Sequence, residues 1–351
     1  NCIDQVRPSG RAANLGFVYV TDLVAGDLPA VLRRLRDGTG VDHWIGTIGM
    51  GICAMGAEFY DAPAISILLC RFPEESFRVF SAAAASFDAD MAAHDSWLRS
   101  THATFGIIHG DPGAAGLPQM IDGLSRRMGD GFLVGGLASS RSDRLYLADT
   151  ITDRPLSGVL FSEGVAVTTR LTQGCSPLGG RHVVTQGDQN LVFTLDDAPA
   201  LEVLKQEMGD ELQQDLRRIG GYIFAGLPVR GSDTGDYLVR NILGIDPTHG
   251  VIAIADTVAP GDMLMFCRRD ARTAQDDLVR MLGEIKPVGP PRGAVYFSCI
   301  ARGRSQFGPD SRELRTIRQI LGDVPLTGFF GNGEISHTRL YGYTGVLTLF
   351  L

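Results

Sequence analysis

Cys299 ends the apolar run GAVYFSC, Gly293 to Cys299, and Arg302, Gly303 and Arg304 follow it directly. Ligands of open α/β sheets favour the crevice beyond strand C-termini. A thiol placed there beside guanidinium groups has its pKa lowered and becomes a candidate nucleophile. Arg302, with the backbone N–H of Gly303, can instead hold a carboxylate. The plainer account is a packed thiol and an arginine that ties a loop. If the clamp is real, Arg302→Ala abolishes ligand binding and leaves thermal stability unchanged.

Two further stretches offer polar groups on sharply bent backbone. Gly331-Asn332-Gly333-Glu334 reads as a tight reversal in which Asn332 and Glu334 can accept a ligand amine. Turn chemistry alone explains its glycines. Gln173-Gly174-Cys175-Ser176-Pro177 is a polar, bent segment at a composition shift, where Gln173, Cys175 and Ser176 can each donate or accept. A linker whose Pro and Gly set its direction accounts for it as well. As a thiol, Cys175 joins Cys299 as a candidate nucleophile, although no histidine is placed by sequence to serve either as base. The six cysteines form no CxxC pair and the seven histidines form no HxH, HxxH or HExxH, so a closed metal site is not written in the spacing. GxSxG, GxGxxG and Walker patterns are absent in the required strand-turn-helix context.

The elements that position these residues follow a recurring order. Ala294 to Cys299 reads as a buried strand, Leu314, Ile317, Ile320 and Leu321 recur at helical spacing, Leu326 to Phe330 is a second strand, and Gly345 to Leu351 a third. The same β-α-β-β order reads from Leu15, with helix positions Leu28, Val31, Leu32 and Leu35 and the long strand Pro63 to Phe72. It reads again from His102, with Leu117, Met120, Ile121 and Leu124. Glycines at 49–51 and 135–136 read as turns matching the one at 331–333. The middle of the chain reads as a fourth, modified copy, with one broken or two short helices across Ala198 to Ile219. The expected fold class is α/β (α+β): two domains of repeated β-α-β-β units, mixed sheets with helices on the outer faces. The expected division is a loose N-terminus at 1–13, one α/β domain at 14–172 and another at 173–351, with the boundary where Gly, Pro and Ser gather.

The chain has 351 residues, 44% hydrophobic and 21% charged, with a formal net charge of -8. That composition belongs to a globular chain, and the acidic balance opposes nonspecific phosphate binding to nucleic acid. The longest apolar runs are strand-length, so no membrane span is expected. Scattered cysteines point to a reducing, cytoplasmic compartment.

SCIARG with a nearby FG, then PLTGFFGNGEIS and LYGYTGVLTLF, resembles the C-terminal signature of the FIST family. QGCSPLG, the HVVT strand and APALEVL match the same family, and the resemblance covers nearly the whole chain. It makes 14–172 a FIST N-type and 173–351 a FIST C-type domain. It implies a sensor of a small, amino acid-like metabolite that signals through a separate protein, such as a histidine kinase or a cyclic-dinucleotide enzyme. The ligand residues carried by these motifs would be Cys299, Arg302, Gly303, Asn332, Glu334, Gln173, Cys175 and Ser176. One branch of the family is reported to bind heme and sense nitric oxide, which makes a heme cofactor and gas sensing an alternative. For an axial ligand, His109 at the end of an apolar strand is the first choice, and His43 and His182 follow. An enzyme using Cys299 or Cys175 is the other alternative; catalysis is otherwise not expected.

Overall fold

The computed structural model describes residues 2–6, 13–142, 145–209, 219–229, 236–285 and 289–351. It is a mixed α/β protein whose chain forms two compact units, Asn1–Thr172 with Gln275–Leu351, and Gln173–Ala274. The segment expected to be loose at the N-terminus includes a short helix, Cys2–Val6. Residue 1 and residues 7–12 lie outside the described residues.

The first unit contains three copies of one motif. Each has an opening strand, a helix, a second strand parallel to the first, a hairpin and a return strand antiparallel to the first. The opening strands are Leu15–Thr21, Phe105–Gly110 and Gly293–Cys299, and the second strands His43–Gly49, Phe132–Leu137 and Leu326–Gly331. The return strands are Ile65–Cys70, Leu156–Phe161 and Thr344–Phe350. The hairpins exchange in a cycle. Gly51–Ala54 pairs with the second strand of copy three, Tyr146–Ala148 with that of copy one, and Glu334–Ser336 with that of copy two. No copy completes its own sheet, so removing any one leaves unpaired strand edges on another.

Alternation along the opening strands separates two apolar layers. In copy one, Val18 and Val20 pack outward with Leu28, Leu32 and Leu35 of the helix Leu28–Thr39, while Leu15, Phe17 and Tyr19 face the shared core. Copy two repeats this with Ile108 outward against the helix Leu117–Arg127. The helices thus cover the outer faces.

One glycine per copy explains the close strand approach. Gly46, Gly135 and Gly328 lie in register with Val18, Ile108 and Tyr296. An added Cβ would stand 1.7 to 1.8 Å from the carbonyl oxygen of each partner, so no other residue fits. Gly135 and Gly136 therefore belong to a strand, not to the turn that the sequence implied. The register makes Tyr19, His109 and Phe297 equivalent. Their rings meet with centroids 5.4 Å, 6.1 Å and 6.1 Å apart, and Phe329 packs on all three.

The second unit departs from the repeat. His182–Asp188, Leu191–Leu195, Val251–Ile254, Tyr237–Asp246, Ile223–Pro228 and Met263–Arg269 pair in that order, and the last pairs back with the first. The described strands close into an antiparallel ring with the helix Ala200–Met208 packed into its core. The β-α-β-β motif needs a parallel pair, and none occurs among the described strands here, so the expected fourth copy is not formed. Part of the predicted helical stretch, residues 210–218, lies outside the described residues.

Candidate functional site

At the C-terminal end of the third opening strand some of the sequence candidates gather, beside a carboxylate that sequence reading missed. Arg302 is fully buried, and its Nε donates to Oε1 of Glu313 at 2.8 Å. Its Nη2 stands 2.8 Å from the same oxygen. Glu313, also fully buried near the start of the helix Arg312–Leu321, accepts from the Tyr296 hydroxyl at 2.7 Å, the Ser298 hydroxyl at 3.1 Å and the Gly303 N–H at 2.8 Å. The two groups offered as a ligand clamp, the Arg302 guanidinium and the Gly303 amide, both face this internal carboxylate. Such a pair fixes a loop, and removing one member strands a buried charge. Gly303 has φ +48, and a Cβ there would lie 1.8 Å from the Tyr60 hydroxyl, which makes its glycine a steric requirement.

Cys299 is buried, and burial pushes its thiol well above the ordinary range, with the Glu334 charge adding to the rise. The arginines were expected to lower it. Arg302 does act in that direction, but with Glu313 neutralising it the desolvation wins. Glu334 is fully buried. Its Oε2 accepts from the Thr344 N–H at 3.1 Å and hydroxyl at 2.6 Å, and Oε1 has no hydrogen-bond partner among the described residues. Burial pushes its carboxyl up to about 8. Asn332 is exposed on the neighbouring turn, and its N–H donates to the Leu137 carbonyl. Glu58 and Tyr60, from the hairpin of copy one, complete the cluster. Burial, then the Glu313 charge, pushes the Glu58 carboxyl up to about 7. No sequence signal links residues 58 and 313; the hairpin exchange alone brings them together.

Gln173, Cys175 and Ser176 belong to the second unit. The Gln173 side-chain amide donates to the Tyr237 carbonyl at 3.0 Å, and the Tyr237 hydroxyl donates to the Cys175 carbonyl at 2.6 Å. Cys175 is buried and Ser176 half-buried. These contacts anchor the segment to the strand at Tyr237–Asp246.

The three histidines were tested as heme ligands. His109 is fully buried, hydrogen-bonded through Nε2 to the Tyr19 hydroxyl at 3.0 Å and enclosed by Phe297 and Phe329. Its Nδ1 has no partner among the described residues, but aromatic rings fill the space a macrocycle would need. Burial holds its pKa down to about 3. His182 engages Asp196 through Nδ1 at 2.7 Å and Glu207 through Nε2 at 2.8 Å, leaving no nitrogen for iron. His43 is exposed, binds Asp149 through Nδ1 at 3.0 Å, and borders a cavity of about 430 Å³ that Asp42, Glu74, Glu75 and Asp149 also line. Four carboxylates against the single guanidinium of Arg78 oppose heme propionates there. The residues do not fit the group. Among the described residues no set of three or more His, Cys, Asp or Glu is arranged to hold a metal ion.

A second cavity lies at the opposite end of the third opening strand. It measures about 440 Å³ and opens into the shared core beside Leu68, Phe72, Gly293 and Phe350, with Arg71 and Arg292 on its lining. Both arginines are exposed, and neither is ion-paired among the described residues.

This chain, whose antiparallel ring is inserted in the sequence between the second and third copies, matches the FIST N domain over residues 14–198 and the FIST C domain over residues 200–337. The chain belongs to the FIST family, whose domains are associated with small-ligand sensing and signal transduction. It is 32% identical to an uncharacterized protein of Mycobacterium tuberculosis, over 97% of this chain and 96% of that one. A second uncharacterized protein, of Mycobacterium bovis, is 30% identical over 97% of this chain and 90% of its own length. Among the described residues no helix is long and apolar enough to cross a membrane.

Proposed function

We propose that this chain is a cytoplasmic sensor that binds a small carboxylate-bearing metabolite in its first unit and passes the state of that site to a separate signalling protein. The observation that carries the reading is the cavity of about 440 Å³ at the start of the Gly293–Cys299 strand. Its size falls in the range of small-molecule sites, roughly 300–1,000 Å³, and apolar walls with a few polar groups are what such sites present. The loop at Arg302 serves the fold, and the buried thiol of Cys299 is held protonated, which weighs against nucleophilic catalysis there. The family association supports signalling output; a histidine kinase or a cyclic-dinucleotide enzyme is the partner class it implies.

A thermal-shift screen of metabolites on the whole chain, repeated on Gly293→Leu, tests the reading. A compound that raises the Tm of the parent chain and not that of the variant supports it. Stabilisation that survives the substitution moves the site away from this cavity.

A further inference from the structure

We propose that the cavity beside Gly293 selects a small monoanion with an apolar body and no cationic group, its carboxylate held by Arg71 and Arg292. The proposal rests on the sensor reading above and narrows it from amino acid-like ligands to arylalkanoates and medium-chain carboxylates.

Three observations carry it. The first is charge. The chain has a net charge of -8, yet the described side chains lining this cavity include two arginines and no carboxylate. A ligand ammonium would lose its hydration there and meet no acidic side chain, with only the main-chain end at Leu351 on the lining, whereas a carboxylate meets two guanidinium groups. The second is the wall. Leu68, Phe72, Val165 and Phe350 belong to the core cluster or pack against it, so an aryl or alkyl body would continue the apolar core. The third is Gly293 itself. The register places it level with Leu15 and Phe105 of the other copies, four residues before Phe297, Tyr19 and His109. Unlike Gly328 in the neighbouring strand, it has no positive φ, and an added Cβ meets nothing nearer than 3.7 Å. Neither backbone conformation nor crowding requires glycine at 293. What its missing side chain does is leave open the space that Leu15 and Phe105 fill in the other copies.

Calorimetry on the full chain with three probes tests the proposal: 3-phenylpropionate, its neutral amide, and L-phenylalanine, which adds only the ammonium. The acid is expected to bind, with the amide and L-phenylalanine each weaker by about tenfold or more, the loss typical of one charge-assisted interaction. Gly293→Leu should abolish binding of the acid, while Gly293→Ala, for which there is room, should retain it. Arg71→Ala with Arg292→Ala should weaken the acid by about tenfold or more and leave the amide unchanged. The double arginine variant keeps the test valid if Gly293→Leu fails to fold. Equal binding of acid and amide overturns the anion assignment while leaving the sensor reading in place. Failure of the acid to bind, or binding unaffected by the arginine substitutions, overturns the proposal, and the metabolite screen then judges the sensor reading alone.

Discussion

The strand Gly293–Cys299 has arginine near both of its ends, and the two ends use it in opposite ways. Beyond Cys299, Arg302 is buried against Glu313, where its charge and its Nε hydrogen bond serve the protein's own loop. Before Gly293, Arg292 stays exposed, forms no ion pair among the described residues, and borders a cavity with Arg71. An arginine in a loop beside a strand is the same sequence signal in both places. Burial and the presence of an internal carboxylate decide whether it is part of the fold or available to something else.

The sharpest way to break that contrast is to truncate one arginine at each end. Arg302→Ala leaves Glu313 buried without its cation and should cost about 3–5 kcal/mol in urea unfolding. Arg71→Ala should change stability by less than about 0.5 kcal/mol. Similar losses for both would remove the distinction. The earlier expectation that Arg302→Ala leaves stability intact is reversed by this burial.

Next in size is the acid sensitivity centred on His109. Its folded pKa of about 3 lies below the ordinary 6.5, so the unfolded chain takes up a proton that the folded chain refuses. Stability from this group is complete above pH 6.5 and falls as pH drops towards 3. In His109→Phe with Tyr19→Phe, which imitates Phe297 and removes the orphaned hydroxyl, thermal melts should lose that component of acid destabilisation.

Glu334 gives the opposite slope. Its folded pKa of about 8 lies above the ordinary 4.5, so stability declines as pH rises from 4.5 to 8 and is flat beyond. Glu334→Gln should therefore raise the Tm at pH 8.5 by more than at pH 5; an equal change at both would show that the carboxyl is not held protonated. The smallest effects are negative ones. Iodoacetamide at pH 7 should leave Cys299 unmodified in the folded chain. Hemin added and then removed should leave no Soret band, because aromatic rings enclose His109, both His182 nitrogens are engaged, and the cavity beside His43 is lined mainly by carboxylates.

Much of the repeat was legible because its signals are local. The helix at Leu28–Thr39 follows from Leu28, Leu32 and Leu35 at helical spacing, and the opening strands follow from apolar runs buried on both faces. The fourth copy was misread because a ring of antiparallel strands and a β-α-β-β unit share the same short apolar runs; only pairing direction separates them. Of the candidate residues, Cys299, Arg302, Gly303 and Glu334 were singled out as two separate stretches, and the structure places both at one end of adjacent strands. Glu313, Tyr60 and Glu58 were missed, because they arrive through an exchanged hairpin and a helix face.

The sequence by itself determined the family, the three repeated units and the positions of their strands and helices, because propensity, periodicity and turn chemistry act between near neighbours. It also determined the acidic balance and the lack of a metal-binding spacing. The tertiary structure alone decided that copies trade hairpins, that Arg302 is answered by Glu313, that His109 closes against Tyr19, and that Gly293 borders a cavity at the level where the other copies carry Leu15 and Phe105. Each of these depends on which distant groups share a low-dielectric interior, and desolvation there sets both charge state and available space.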